Sequence, residues 1–136
     1  MTLVLDTGVV LAATYREDPS HARCRALLEG ANEQLAIPAS TLCELDYWFR
    51  ARVGPGATVA LLRNIQAGAF VVEDLVEEDY ERVAEVMDRY EQIGFVDASV
   101  LAVCERLGEP KLATLDRRHF GMLRPRHVDA LELLPG

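Results

Sequence analysis

The chain has 136 residues, 50% of them hydrophobic, and a formal net charge of −8. That length and apolar content suit one globular domain over residues 1–136, with a core that needs no disulfide or metal staple. The acidic balance argues against a protein that binds nucleic acid by bulk charge, because affinity for phosphate comes largely from Lys and Arg.

No apolar run reaches the roughly 18 residues of a membrane helix, so no membrane association is expected. The opening MTLVLDTG has no basic segment and meets an acid at Asp6, which argues against a signal peptide. Cys24, Cys43 and Cys104 are scattered and form no CxxC; they read as small apolar residues in a reducing compartment, the cytoplasm. His21-x-x-Cys24 has no second pair to complete a tetrahedral site.

In chain order, Thr2–Leu5 is a compact apolar run closed by Asp-Thr-Gly, a first strand. From Pro19 to about Glu29 the apolar spacing is helical. Gln34–Ile37 reads as a strand stopped by Pro38. A helix follows from about Ala39 to Val53, with Leu42, Leu45, Phe49 and Val53 on one face and Gly54-Pro55-Gly56 as its stop. Ala57–Gln66 is helical and Ala69–Val72 a strand. Glu77–Gln92 is an amphipathic helix with acids in its first turn, as the helix dipole favours. Asp97 opens a helix that ends at Gly108. Lys111–Thr114 is a strand, and Ala130–Leu134 a last, edge strand. This alternation predicts an α/β fold of three layers, with a mainly parallel sheet of four or five strands.

Charge is unevenly spread. Residues 73–91 hold nine acids against Arg82 and Arg89; residues 106–127 hold six Lys and Arg against Glu109 and Asp116, with His119 and His127 beside them. The acidic stretch reads as a solvated face, the basic one as a surface for anions.

Ligands of a parallel sheet bind at the carboxyl ends of its strands. Asp6 and Asp116 follow strands, while Glu44 and Asp97 stand near helix starts, so all four can share one rim. Each has a purely structural explanation. Asp6, Asp97 and Asp116 suit turns or N-caps, and Thr41-x-x-Glu44 matches a capping box. Together they are harder to explain so. Two carboxylates about 4 Å apart repel by roughly 4 kcal/mol at an effective dielectric near 20. A hard divalent ion such as Mg²⁺ or Mn²⁺ relieves that repulsion and supports phosphoryl chemistry. Asp46 lies two residues beyond Glu44, about 200° round the helix, and faces elsewhere.

LVLDTGVVLA with Asp6, PASTLCEL with Glu44, GFVDASVLAVCERLG with Asp97 and LATLDRRHF with Asp116 occur in an order that resembles the PIN-domain family. More narrowly it resembles the VapC-type toxins of bacterial toxin–antitoxin pairs, over about residues 2–134. The resemblance implies a PIN-like fold and a Mg²⁺-dependent endoribonuclease, with Mn²⁺ as a substitute. It implies that Asp6, Glu44, Asp97 and Asp116 bind the metal and position the attacking water. Thr114 would hold a water or a neighbouring carboxylate, and Thr7 fits the hydroxyl position after the first acid; Gly8 departs mildly from the family pattern. Arg117 and Arg118, with His119, would grip RNA phosphates. A cognate antitoxin would inhibit the enzyme, which would form a homodimer, and an exposed aromatic from Tyr47-Trp48-Phe49 would suit a partner.

Three other readings are distinguishable. An aspartyl-nucleophile phosphatase would want a second acid at position 8, which is Gly. A receiver-like switch would use Asp74 and Lys111 with Asp6. A non-catalytic α/β interaction domain would use every acid as a cap and would hold no Mn²⁺.

Overall fold

The computed structural model describes residues 1–136 as a five-stranded sheet between two helical layers. The strands are β1 (Thr2–Leu5), β2 (Gln34–Pro38), β3 (Val71–Glu73), β4 (Lys111–Ala113) and β5 (Glu132–Leu134). Their order is β3-β2-β1-β4-β5 and every pairing is parallel, so β1 is central and β5 forms an edge. The helices are α1 (Thr7–Thr14), α2 (His21–Gly30), α3 (Leu42–Arg52), α4 (Gly56–Gln66), α5 (Glu77–Arg89), α6 (Phe95–Leu107) and α7 (Arg117–Met122).

The strand pleat divides the core. Leu3 and Leu5 of β1 face a cluster with Val9, Ile37, Leu45 and Phe49, under α1 to α4. Val4, between them, faces the opposite cluster with Val83, Val100, Leu101, Leu112 and Phe120, under α5 to α7. Side chains alternating at period two send neighbours to opposite faces. A strand buried on both faces therefore reads as an unbroken apolar run, as TLVL does.

Sequence and structure part at several points. The sequence reading has no helix over Thr7–Thr14, because GVVLAA carries no polar period. That segment is buried nearly all round, so burial and not amphipathicity defines it. The expected helix start at Ala39 is a 3₁₀ turn, Ala39–Thr41, that leads into α3. The third strand begins at Val71 and not Ala69, because Gly68 at φ +89° and the Ala69 N–H still close the end of α4. Asp97 is not an N-cap: Gly94 takes that place and Asp97 sits in the first turn of α6. Gly108 stops α6 in the left-handed conformation, at φ +68°.

Two ion-pair networks fasten the far end of α6. Arg106 reaches Asp79 and Glu73 across α5 and β3, and Arg82 reaches Glu105. Asp79 is 2% exposed, and its carboxylate also accepts the Val76 N–H. Part of the acidic stretch is therefore structural and not a solvated face.

Candidate functional site

Parallel strands put all their carboxyl ends on one rim, and the chain order makes β1 and β4 the pair where the strand order reverses. A crevice opens at such a reversal. Asp6 directly follows β1, and its N–H donates to the Ala113 carbonyl at the end of β4. Asp116 follows β4. Glu44 enters from α3, the helix after neighbouring β2. Asp97 enters from the first turn of α6, which returns the chain from β3 to β4. The four acids, with Thr7, Trp48 and Leu115, line one cleft of about 450 Å³.

Asp6 is 6% exposed. Its Oδ1 accepts the Thr7 N–H at 2.9 Å, and its Oδ2 accepts the Thr114 hydroxyl at 2.8 Å. Thr114 Oγ1 in turn accepts the Asp116 N–H at 3.0 Å. One hydroxyl thus fixes both strand-end acids. Thr7 donates its hydroxyl to Glu44 Oε1 at 2.7 Å, which joins the starts of α1 and α3. Thr41 caps nothing: its hydroxyl donates to the Pro38 carbonyl, and the capping box with Glu44 is not formed. Ser40 and Ser99 hydroxyls meet at 2.6 Å, tying the segment before Glu44 to the helix of Asp97.

Asp116 does cap α7, with Oδ1 accepting the His119 N–H, so capping and site membership coexist in one residue. Its Oδ2 lies 2.7 Å from His119 Nδ1, and Asp97 Oδ2 lies 3.7 Å from the same nitrogen. His119 therefore belongs to the acidic centre, not to a basic rim. The sequence placed a base there without showing which way its ring turns.

Electrostatics follow from this crowding. Burial, then the charges of Asp6 and Asp116, push the Asp97 carboxyl up to about 6, against a smaller opposing pull from His119. Burial likewise raises Asp6, against the Thr114 and Thr7 hydrogen bonds that lower it. His119 is the one basic side chain within ion-pair reach of any of the four acids, and it reaches Asp97 and Asp116. The donor set fits a hard divalent cation: oxygen ligands, excess negative charge and partial exposure to solvent. Asp97, Asp116 and His119 alone bring ligand atoms within 4.8 Å of one another.

Other expected contributors stand apart. Arg117 is exposed, but its Nη2 donates to the carbonyls of Leu133 and Pro135, which ties α7 to the last strand; Arg118 is exposed. Asp46 bonds Thr58 and Arg50, away from the cleft. Of the aromatic run, Phe49 is core, Tyr47 is 65% exposed and Trp48 borders the cleft beneath Arg52. Lys111 opens β4 and pairs with Glu33 at the amino edge of the sheet, so the receiver-like trio is not assembled.

Comparison with known proteins agrees with this architecture. The family model of the PIN domain matches residues 3–122. Ribonuclease VapC26 of Mycobacterium tuberculosis is 31% identical over 125 residues, spanning 90% of this chain and 93% of that protein. Among solved structures, Mycobacterium tuberculosis VapC20, a sarcin-ricin loop cleaving toxin, superposes with TM-score 0.74 at 22% identity, over 81% of this chain and 86% of that one. VapBC2 from Rickettsia felis, solved bound to a promoter DNA fragment, gives TM-score 0.68 at 20% identity over 98% and 97% of the two chains. The matched family model, the length of the VapC26 alignment and the shared sheet agree: the chain belongs to the PIN-domain family, among its VapC-type members.

Proposed function

We propose that the protein is a divalent-metal-dependent endoribonuclease toxin that hydrolyses RNA phosphodiester bonds in the cleft at the carboxyl end of β1 and β4. The observation that carries the reading is the convergence of Asp6, Glu44, Asp97 and Asp116 from four separate elements on one cleft, with no Lys or Arg to neutralise them. Ordinary caps need no such convergence. The 31% identity to a protein named as a ribonuclease supports the same chemistry.

Asp6, Glu44, Asp97 and Asp116 would hold Mg²⁺ or Mn²⁺. When bound, the ion supplies an acidified water and offsets charge on the scissile phosphate. The chain's own work is positioning. Thr114 holds Asp6 and the Asp116 main chain in one register, and Thr7 holds Glu44. Carboxylates fixed in this way orient the attacking water through hydrogen bonds. Arg118, beside the acidic centre, attracts the RNA backbone, and Arg117 adds positive charge while bracing the C-terminal strand. A basic edge near the site lets an acidic protein engage RNA locally.

Partners follow from the relatives. Structural neighbours include a toxin–antitoxin complex from Klebsiella pneumoniae and VapBC from Salmonella typhimurium bound to DNA. A cognate antitoxin is accordingly the expected inhibitor. Tyr80 and Met87, 54% and 40% exposed on one face of α5, offer apolar surface for a second copy. No helix is long and apolar enough to cross a membrane, and the enzyme would meet its RNA in the cytoplasm.

The test is cleavage of a structured RNA pool by the antitoxin-free protein with Mg²⁺ or Mn²⁺, with EDTA, and with Asp97→Asn. Cutting that needs the metal and is lost in the variant supports the reading. Cutting that persists in both controls opposes it.

A further inference from the structure

One ring nitrogen lies beside two of the four acids. His119 lies in the first turn of α7, where its N–H donates to Asp116 Oδ1 at 3.0 Å. That bond fixes the main chain and leaves the imidazole turned inward. Nδ1 donates a hydrogen bond to Asp116 Oδ2 at 2.7 Å and lies 3.7 Å from Asp97 Oδ2.

Ligand atoms of Asp97, Asp116 and His119 all lie within 4.8 Å of one another, close enough to converge on one ion. Ligand atoms about 2.1 Å from one ion stand about 3 Å apart when adjacent and about 4.2 Å apart when opposite. The side chain is 31% exposed, so an ion from solvent can reach it. The other two histidines are engaged elsewhere, His21 Nδ1 with the Ala12 carbonyl and His127 Nε2 with the Glu109 carbonyl.

We propose that His119 is a metal ligand, which makes Asp97, Asp116 and His119 a mixed nitrogen–oxygen subsite favouring first-row transition cations over Mg²⁺. The inference rests on the nuclease reading and specifies which ions that site prefers. Mg²⁺ takes oxygen donors and gains little from imidazole. First-row transition ions accept the nitrogen readily, so the third ligand discriminates between them. On binding, the Nδ1 proton that Asp116 Oδ2 now accepts gives way to the ion. That proton leaves to solvent or the ring changes tautomer, and the Nδ1 lone pair is freed. Asp116 holds the ring in place through the main chain of the same turn.

Mn²⁺ is the probe. Pulsed electron paramagnetic resonance of the Mn²⁺-loaded full chain should show hyperfine coupling to a directly bound nitrogen. His119→Asn and His119→Phe should both abolish that coupling while circular dichroism confirms the fold. Their Mn²⁺ affinity by calorimetry should fall at least about tenfold, the lower end of what even an outer-shell partner costs. Mg²⁺ affinity, read by competition, should change less than about twofold. Mn²⁺ bound to the wild type without nitrogen coupling, or equal losses for both ions, would overturn the inference and leave the nuclease reading standing. No Mn²⁺ binding at all would overturn both.

Discussion

Thr114 donates its hydroxyl to Asp6 Oδ2 at 2.8 Å across the seam between the end of β4 and the end of β1. The two residues are far apart in sequence and are joined only because β1 and β4 are parallel neighbours. Thr114 is 1% exposed, so water cannot replace it as the partner of Asp6. Thr114→Val should lower stability by about 1–3 kcal/mol, the cost of leaving a buried acceptor unmade. RNA cleavage should fall at least about tenfold. Thr114→Ser keeps the hydroxyl and should recover most of the activity. Urea denaturation and cleavage assays on the two variants check this.

The crowding of carboxylates predicts a variant that is more stable and less active. Asp97 is pushed up to about 6 from an ordinary 3.8, first by burial and then by Asp6 and Asp116. Between those values the folded chain keeps a proton that the unfolded chain has released. The group therefore favours folding at low pH, and that contribution is lost as pH rises from about 4 to about 6. Asp97→Asn removes the effect. Without divalent ions, the variant's thermal midpoint minus that of the wild type should increase across this window and stay high at pH 7. Added Mn²⁺ should reverse the order by stabilising only the wild type.

Arg106 and Asp79 lie near the end of α6 opposite Asp97, so they separate stability from function. Arg106→Met leaves the buried Asp79 carboxylate with the Val76 N–H as its remaining partner. The expected loss is about 3 kcal/mol by chemical denaturation. Mn²⁺ affinity of the folded fraction should be unchanged.

The two adjacent arginines should separate as well. Arg118→Ala should weaken RNA binding and reduce the salt slope by about 1, with stability within about 0.5 kcal/mol of wild type. Arg117→Ala releases the carbonyls of Leu133 and Pro135 and should cost about 1 kcal/mol of stability in addition. Binding titrations at several salt concentrations, with thermal melts, distinguish the two.

Much of this site was legible because each acid follows a recognisable break. Asp6 ends an apolar run, Asp116 ends another, and the α/β alternation puts both ends on one rim. Asp97 and Glu44 could be placed near helix starts, but not their orientation. α6 begins before Asp97, which brings the carboxylate inward, and Thr41 turns to Pro38, which frees Glu44 for Thr7. α1 escaped because a helix buried nearly all round has no apolar period to read. His119 was visible as a base, while its membership of the acidic centre depends on the turn of α7 that Asp116 caps. Such through-space pairings depend on side-chain direction, which spacing alone does not carry.

The most direct test of the central claim is the chemistry of the cut ends. Hydrolysis by a water oriented among Asp6, Glu44, Asp97 and Asp116 leaves a linear phosphate monoester on one product and a free hydroxyl on the other. Mass spectrometry of the products in ¹⁸O-labelled water should find the label in that phosphate, with no product in EDTA or with Asp6→Asn. A 2′,3′-cyclic phosphate, formed in EDTA and unaffected by Asp6→Asn, would contradict the account.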